Sequence, residues 1–502
     1  MKRRTFLRSS FAAAALTAVP RQPAFAALYR AAPQVPPDVD AVTGAGSDVT
    51  LRGRDIGELA GRLHGRLLLA GDEGYDAARH ILNPSFDKHP ALIVQPTGTA
   101  DVRSAVDFAR EHSLLLAVKC GGHSFSGIST CDKGMMIDLS SFRGVRVDPA
   151  ARRAWVAGGS LLGLVDHEAM SLGLVVPMGT VSHTGVGGLT TGGGFGRVAR
   201  RFGLASDNLT AVDVVTADGN LVRATAEENP DLFWGVRGGG GNFGVVTSFE
   251  FRLHPMQRQV LGGDIVFPIA RARDVLNVYA EYAAVAPDEL YLDVVMVLPA
   301  GGQPGVALFS ICYSGPANAA ERALAPIRRL GTPLADGVKA IDYVAMQRSG
   351  DVSDPRAMGT YLKGGFISEL APGLVDALAD GLEGDPRRTT VVFFQHGKGA
   401  IGRLPADATA FSHRYALANM GLVVEWAHGQ DPSEHIAWIR GFHANVERYI
   451  GGFYTNDMAP DITTAQVNVN YRQNYPRLVR IKNQYDPTNL FRLNANILPS
   501  VS

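Results

Sequence analysis

A histidine on a glycine turn is the first place in the sequence where chemistry is expected. Gly121, Gly122, His123 and Ser124 follow the apolar run 114–118, so the imidazole stands at the end of a predicted buried strand. Such a ring is either presented to a ligand at the sheet edge or is a capped surface histidine, and spacing leaves both open. No His, Asp or Glu lies at metal-ligand spacing from His123, and there is no Gly-x-Ser-x-Gly motif. We therefore predict neither a metal centre nor a serine hydrolase.

Glycine is concentrated around the same region. Of the 57 glycines, many fall in three clusters, at 121–122, 185–196 and 235–244. A dinucleotide fingerprint needs its glycines after the first strand and an acid about 20 residues later, and this arrangement fails on position. Three separate clusters instead indicate an extended ligand contacted by backbone amides along its length, as a pyrophosphate would be.

The elements that position these residues follow from apolar periodicity. A strand at 91–94, a helix over 102–109 and a strand at 114–118 predict a βαβ unit that ends at the glycine turn before His123. From about residue 257 helical and strand patterns alternate, which predicts a separate domain in which helices cover a sheet. Its predicted helices are 270–285, 317–330, 373–382 and 434–450, and its predicted strands are 290–298, 306–313, 389–395 and 415–426.

Composition excludes several classes of protein. The chain has 502 residues, 46% of them hydrophobic and 19% charged, which indicates a folded protein of two or three units. Lys+Arg and Asp+Glu are equal at 48 each, so no net charge favours nucleic acid and a small molecule is the expected partner. Cys120, Cys131 and Cys312 form no Cys-x-x-Cys pair. A Cys120–Cys131 disulfide and three free thiols both remain open.

The first 26 residues are typical of a twin-arginine export signal. Arg3 and Arg4 precede the apolar stretch 11–19, and Ala24-Phe25-Ala26 supplies small residues for cleavage. The apolar stretch is shorter than the roughly 20 residues that span a bilayer, so a membrane anchor is disfavoured. We predict export to the periplasm or the medium by the twin-arginine machinery, with no membrane span in the mature chain.

Several motifs in order resemble the FAD domain of the vanillyl-alcohol-oxidase superfamily, with its PCMH-type FAD-binding domain, and more narrowly its berberine-bridge-enzyme-like branch. The motifs are 90–96, 118–124, 185–188, 192–196, 205–209, 231–238, 241–244 and 485–497. The resemblance implies a two-domain α+β fold, in which an FAD domain of two α+β subdomains adjoins a substrate domain with an antiparallel sheet covered by helices. The expected segments are the signal 1–26, an N-terminal segment 27–86 packed on the FAD domain, the FAD domain 87–256, the substrate domain 257–450 and a returning segment 451–502.

The same resemblance implies that FAD is covalently attached through its 8α carbon to His123. Many relatives carry a second link through a cysteine at the position of Val181, and valine cannot form it. We therefore expect one histidyl link only. The implied cofactor-binding residues are His123, Gly121, Gly122, Ser124, Gly179, Thr180, Thr184, Gly185, Gly188, Gly192, Gly193, Gly244, Val245, Asn494 and Asn496.

Candidate catalytic residues come from two sources. Tyr454 matches the family's Tyr-x-Asn element and would act as a base if nearby positive charge lowered its pKa. Asp457 stands where relatives generally have an aromatic residue, so it is either a base, a site for a cationic substrate group or a surface cap. Glu425 is a polar residue in an apolar strand, which often marks a pocket.

The predicted substrate contacts are Gln395, His396 and Lys363. Gln395 and His396 interrupt an apolar strand, and alternation allows only one of them to face the site. Lys363 matches a family strand that can place a lysine near the substrate. His183 is a further residue within reach of the site, although a hydrogen-bonded loop histidine is the alternative.

The sequence thus predicts an exported FAD-dependent oxidoreductase. It would transfer a hydride from a C–H of a small hydroxylated or amine substrate to flavin N5, with oxygen reoxidising the flavin to give hydrogen peroxide. Thr184 matches the position that lines the oxygen pocket in relatives, and its modest size favours an oxidase. The alternatives are a dehydrogenase on the same scaffold that uses another acceptor, and a catalytically silent flavin-binding protein.

Overall fold

The computed structural model describes residues 35–351 and 356–500. The predicted export signal, residues 1–26, lies outside these ranges. The described part of the chain begins with a small α+β unit whose four-stranded sheet has the order β3-β4-β6-β5. Its elements are β1 (Val39–Val42), β2 (Asp48–Leu51), α1 (Gly53–Arg62), β3 (Arg66–Leu68), α2 (Tyr75–Arg79), β4 (Leu92–Gln95), α3 (Thr99–Glu111), β5 (Leu116–Lys119) and β6 (Met135–Asp138).

The core of this unit explains how β4, α3 and β5 lead to the glycine turn before His123. Val102, Ala105, Val106 and Ala109 form one buried face of α3, and β4 and β5 both pair in parallel with β6. Because its apolar residues fall at helical spacing, α3 packs with one face on the sheet. Strand β5 follows α3 and ends just before the glycine turn that carries His123. The N-terminal segment adds a strand, because β3 pairs antiparallel with β4.

A second α+β unit carries the other glycine clusters. Its antiparallel sheet has the order β11-β10-β12-β8-β7. The elements are β7 (Val145–Asp148), β8 (Arg153–Ala157), α4 (Leu162–Met170), β9 (Leu174–Val175), α5 (Val186–Thr191), α6 (Ala199–Phe202), β10 (Leu209–Val215), β11 (Leu221–Ala224), α7 (Pro230–Gly235), β12 (Val245–Arg252) and β13 (His254–Pro255). Strands β10 and β12 were not predicted, although both are rich in valine.

The third unit is an antiparallel sheet with the order β17-β14-β16-β15-β20-β21-β19, to which β18 adds through β14. The elements are β14 (Gln259–Pro268), α8 (Ala272–Tyr282), β15 (Leu290–Leu298), β16 (Val306–Tyr313), α9 (Ala317–Arg328), β17 (Ala335–Asp336), β18 (Lys339–Asp342), α10 (Tyr343–Arg348), β19 (Met358–Ile367), α11 (Pro372–Gly381), β20 (Thr389–His396), β21 (Ala418–Ala427) and α12 (Ser433–Val446). The α+β fold class and the helix-covered antiparallel sheet are confirmed.

Alternation along these strands separates a helix-covered face from a face toward the rest of the molecule. Leu292, Val294 and Met296 of β15 belong to the large apolar core that includes Leu276 of α8 and Ile439 of α12. The intervening residues of β15 point the other way, and it is this second face that meets the glycine-rich unit.

The last segment carries α13 (Thr464–Asn470) and α14 (Tyr475–Tyr485). Leu478 and Ile481 of α14 pack in the same core as Phe233 and Phe243 of the second unit. Lys482 and Asp486 form a fully buried ion pair of 2.7 Å there, and Lys482 also donates to the carbonyl of Phe491. The segment that carries α14 is thereby fixed against the glycine-rich unit.

Two further observations concern the described chain. Cys120, Cys131 and Cys312 are free thiols, so no disulfide joins them. Within residues 35–351 and 356–500 no helix is both long enough and apolar enough to cross a bilayer, and no group of His, Cys, Asp and Glu side chains has the geometry of a metal site.

Candidate active site

A cavity of about 630 Å³ lies between the glycine-rich walls and the open face of the third sheet. One wall is made by the turn after β5 and by the segments around Gly185 and Gly244. The opposite wall is made by side chains of β15, β16, β19, β20 and β21. Residues 454–457 line it too. Its size is in the range of pockets that bury cofactors and small substrates.

Two glycine clusters pack directly on each other at the first wall. A Cβ on Gly121 would lie 2.3 Å from the amide nitrogen of Gly185, and one on Gly185 would lie 2.4 Å from that of Gly121. Only glycine at both positions permits this approach, which brings Thr184 Oγ1 to 3.3 Å from His123 Nδ1. The two glycine clusters therefore line the cavity and also fix the position of His123 next to Thr184.

The His123 imidazole lines the cavity and is neutral at ordinary pH. Burial, assisted by the neighbouring His183, lowers the pKa of His123 to about 4. The ring contacts a second imidazole, since His123 Nε2 lies 2.6 Å from His183 Nδ1. Nearby Cys120 also lines the cavity. Burial raises the pKa of its thiol to about 11, so it is not a thiolate.

Tyr454 is buried at the cavity wall, and its hydroxyl is held by donors. Gly194 N donates to Tyr454 Oη at 3.0 Å, and Asn456 Nδ2 donates to it at 2.7 Å. Burial and the nearby Asp457 nevertheless raise the pKa of the phenol well above its usual value. The condition under which Tyr454 would act as a base, a pKa lowered by nearby positive charge, is not met, because burial and the neighbouring Asp457 raise the pKa instead.

Asp457 lines the same cavity and is the stronger candidate for a base. Burial raises the pKa of its carboxyl to about 6, opposed by the hydrogen bond from Asn419. That bond runs from Asn419 Nδ2 to Asp457 Oδ2 at 2.7 Å, and Asn419 Nδ2 also donates to Gln395 Oε1 at 2.9 Å. Asp457 is thus a cavity carboxylate fixed by a side-chain amide rather than a surface cap.

Two more carboxyls line the sheet wall. Glu425 of β21 faces the cavity, and burial raises its pKa. Asp293 of β15 accepts from Tyr291 Oη at 2.7 Å, and burial raises its pKa to about 7. Sequence reasoning missed Asp293. The signal that found Glu425, a charged residue inside an apolar strand, is equally present at Asp293.

Two predicted substrate contacts do not reach the cavity. His396 is on the helix-covered face, where its Nε2 lies 2.8 Å from the carbonyl oxygen of Ala283. Alternation leaves Gln395, its neighbour, on the cavity wall. Lys363 also lies outside the cavity, with its Nζ 3.6 Å from Asp461 Oδ2. Both predictions are corrected, since each side chain belongs to the opposite face of its strand.

Most of the residues predicted to bind the cofactor line the cavity, and three do not. A Cβ on Gly192 would lie 2.2 Å from Asn456 Oδ1, and one on Gly193 would lie 3.0 Å from the ring of Phe411, so these glycines make room for packing. Asn496 has a buried side-chain oxygen without a hydrogen-bond partner, and it too lies off the cavity wall. The predicted residues on the wall are Gly121, Gly122, His123, Ser124, Gly179, Thr180, Thr184, Gly185, Gly188, Gly244, Val245 and Asn494.

Comparison with known proteins places this architecture in a family. The family of the FAD binding domain matches residues 90–225, and the berberine and berberine-like family matches residues 453–498. An FAD-linked oxidoreductase of Dictyostelium discoideum is 32% identical over 450 residues, which are 88% of this chain and 97% of that protein. The chain belongs to the vanillyl-alcohol-oxidase superfamily, in its berberine-bridge-enzyme-like branch. It is an FAD-dependent oxidoreductase.

Two solved structures of this superfamily share the fold. The crystal structure of 6-hydroxy-D-nicotine oxidase from Arthrobacter nicotinovorans has a TM-score of 0.79 at 28% identity, covering 87% of this chain and 98% of that one. Xylooligosaccharide oxidase from Myceliophthora thermophila, in complex with xylobiose, has a TM-score of 0.78 at 27% identity, covering 89% and 99%.

The cavity of this berberine-bridge-like oxidoreductase fits FAD. A Cβ on Gly188, which lines the cavity, would meet no atom within 4 Å and would project into space that the cofactor needs. The hydroxyls of Ser129 and Thr455 are buried at the wall without a protein partner, which suits a polar ligand. The residues available to hold FAD are the glycine-lined segments, His123 and Asn494.

Proposed function

We propose that this protein is an exported oxidase that takes a hydride from a C–H bond of a small hydroxylated or amine substrate and reduces oxygen to hydrogen peroxide. The observation that carries the proposal is that one cavity joins His123 and the glycine walls to Asp457 and Glu425. When bound, FAD supplies the two-electron acceptor for this reaction. The names of the similar structures support an oxidase, one of 6-hydroxy-D-nicotine and one of xylooligosaccharides.

Asp457 is the proposed base. With a pKa of about 6 its carboxyl is mostly ionised at neutral pH, yet it is far more basic than an exposed aspartate. Asn419 fixes the carboxylate by donating to Oδ2, which leaves Oδ1 to accept the proton of a substrate hydroxyl or amine. Tyr454 keeps its proton because its pKa is raised, and it serves to shape the wall.

Gln395 and Glu425 are proposed to orient the substrate. Both side chains line the cavity on neighbouring strands of the third sheet, where a hydroxylated or amine substrate can hydrogen-bond to them. The raised pKa of Glu425 lets it either donate or accept, depending on pH.

His123 is the proposed single point of covalent attachment. A neutral imidazole has a nitrogen lone pair, and the low pKa of His123 supplies one across the physiological range. Val181 also lines the cavity, and its aliphatic side chain offers no second link. Acid precipitation tests the link: the yellow colour stays with the wild-type protein and is lost from His123→Ala.

The choice between oxidase and dehydrogenase is tested by reoxidation. The protein is first reduced without oxygen by a panel of alcohols, sugars, lactones, phenols and amines, and each bleaching is followed by absorbance. The reduced protein is then mixed with oxygen in a stopped-flow instrument. Rapid reoxidation with peroxide release supports the oxidase, whereas slow reoxidation that a quinone accelerates supports the dehydrogenase. If no compound bleaches the flavin, the proposed activity is wrong.

Export by the twin-arginine route rests on residues 1–26 alone. The pair Arg3-Arg4 before an apolar stretch supports it. The test is to replace both arginines with lysine and to compare the flavoprotein content of periplasm and cytoplasm. Retention of the variant in the cytoplasm is expected, and equal export of both forms would contradict the proposal.

A further inference from the structure

His183 is a second imidazole at the proposed attachment site, and the proposed reaction does not use it. It lies in the loop between β9 and α5, next to Thr184. Its Nδ1 is 2.6 Å from His123 Nε2, and the two ring centroids are 4.6 Å apart with the planes tilted by 42°. At that distance the two nitrogens share one hydrogen, one as donor and the other as acceptor.

The neutrality of His123 limits how that hydrogen is placed. A neutral imidazole carries one N–H, so when Nε2 donates to His183, the Nδ1 of His123 has its lone pair free. Thr184 Oγ1, at 3.3 Å, can donate to this Nδ1 but holds it only weakly. In this arrangement Nδ1 is the nucleophile, and Nε2 is the atom that must later lose a proton.

The carboxylate of Asp351 lies near His183. Asp351 Oδ1 accepts from Ser182 N at 2.8 Å, and Asp351 Oδ2 accepts from Ser182 Oγ at 2.6 Å, so the residue before His183 is tied to it. Burial opposes ionisation of Asp351, but the bonds from Ser182 together with His183 hold its pKa below the usual value. The Asp351 carboxylate is therefore close enough to His183 for the two side chains to interact electrostatically.

We propose that His183, supported by Asp351, accepts the proton that His123 loses when FAD becomes covalently attached. This inference rests on the proposed attachment at His123. In attachment a bond forms between a His123 ring nitrogen and the 8α carbon of the flavin, while one proton leaves that carbon and one leaves His123. The two electrons released pass into the flavin ring, and oxygen takes them together with two protons to become hydrogen peroxide. His183 is therefore a positioning and proton-accepting residue for maturation.

The experiment measures the rate of attachment rather than turnover. The full chain is expressed under riboflavin limitation and then supplied with FAD in air, and acid-stable flavin on the protein is followed with time. We expect attachment in His183→Ala to be slower than wild type by about the 10²–10⁴-fold typical of a lost acid–base group. His183→Asn keeps a hydrogen-bond acceptor but no base, and we expect it to be equally slow. The exposed His428→Ala is the matched control.

Chemical rescue separates a proton acceptor from a packing role. Free imidazole and substituted imidazoles are added to His183→Ala, and the attachment rate should rise with the basicity of the added compound. The inference would be overturned if the attachment rate of His183→Ala equalled that of wild type, or if the rescued rate did not depend on the basicity of the added compound. If His183→Ala binds no FAD at all, Asp351→Asn decides, because attachment at the wild-type rate in that variant overturns it as well.

The failure of this inference is distinguishable from that of the proposed function. Wild-type protein that releases all its flavin in acid contradicts covalent attachment itself, and both ideas fall. If wild-type and His183→Ala proteins both acquire acid-stable flavin at equal rates, the proposed attachment at His123 stands and only the role of His183 is wrong.

Discussion

Asn419 donates from Nδ2 to Asp457 Oδ2 at 2.7 Å, and this bond fixes a carboxylate at the wall of the flavin cavity. Asp457 is carried by the returning C-terminal segment, whereas Asn419 belongs to β21 of the third sheet. The proposed base is therefore set by contact between two parts of the chain, and burial tunes it to a pKa of about 6.

The first prediction concerns the pH dependence of Asp457. A base must be ionised to accept a proton, so kcat/KM of the wild type should rise with pH through about 6 and then level off. Asp457→Asn keeps the contact with Asn419 but cannot accept the proton, and its activity at neutral pH should fall by about 10²–10⁴-fold. Steady-state peroxide release over a pH series checks this. An unchanged acidic limb in the variant assigns the base to another residue.

Replacing Tyr454 should lower the stability of the protein without changing the rise of kcat/KM with pH near 6. Tyr454→Phe removes the acceptor of two hydrogen bonds, from Gly194 N and from Asn456 Nδ2. Leaving such buried donors unsatisfied costs about 1–3 kcal/mol, so Tm should fall. Thermal unfolding of the variant and its pH profile are the measurements. Loss of the limb near pH 6 in Tyr454→Phe would contradict the assignment to Asp457.

The two faces of the third sheet give a matched pair of variants. Gln395→Ala removes a cavity-lining amide, and KM should rise several-fold, in line with the roughly 0.5–1.5 kcal/mol of one hydrogen bond. Lys363→Ala changes a residue paired with Asp461 on the other face and should leave KM unchanged. A larger effect from Lys363 than from Gln395 would mean that the substrate binds elsewhere.

The open space at Gly188 predicts an effect on cofactor content. Gly188→Leu would project a side chain into the cavity and should lower the FAD content of the purified protein. Gly144→Leu is the control, because a Cβ there also meets nothing within 4 Å but the residue does not line the cavity. Flavin absorbance per protein is measured in both. Equal FAD content in both variants would exclude this part of the cavity from the cofactor site.

Local patterns predicted the elements around the site well. Strands β15 and β16 occupy 290–298 and 306–313 as predicted, because strongly apolar runs flanked by turn residues leave few alternatives. Helix α1 ends at Arg62, and Arg66–Leu68 is a strand, β3, that apolar periodicity did not predict. There the partner strand β4 decides the outcome, and a local pattern contains no information about it.

Site residues could be predicted from the sequence where the residue type and its immediate neighbours were enough to indicate a position on the cavity wall. His123 on its glycine turn and Gln395 in an apolar strand both line the cavity. The faces of His396 and Lys363, the packing role of Gly192 and the raised pKa of Tyr454 depend on contacts between distant segments. The sequence pattern does not contain those contacts.

The central claim is that FAD occupies this cavity and is bonded to His123, and peptide mass spectrometry tests it most directly. The purified protein is digested, and the peptide that contains His123 is examined for a flavin adduct. The account predicts an adduct on His123 and on no other residue. An unmodified His123 peptide from a yellow protein, or a protein that contains no flavin, would contradict it.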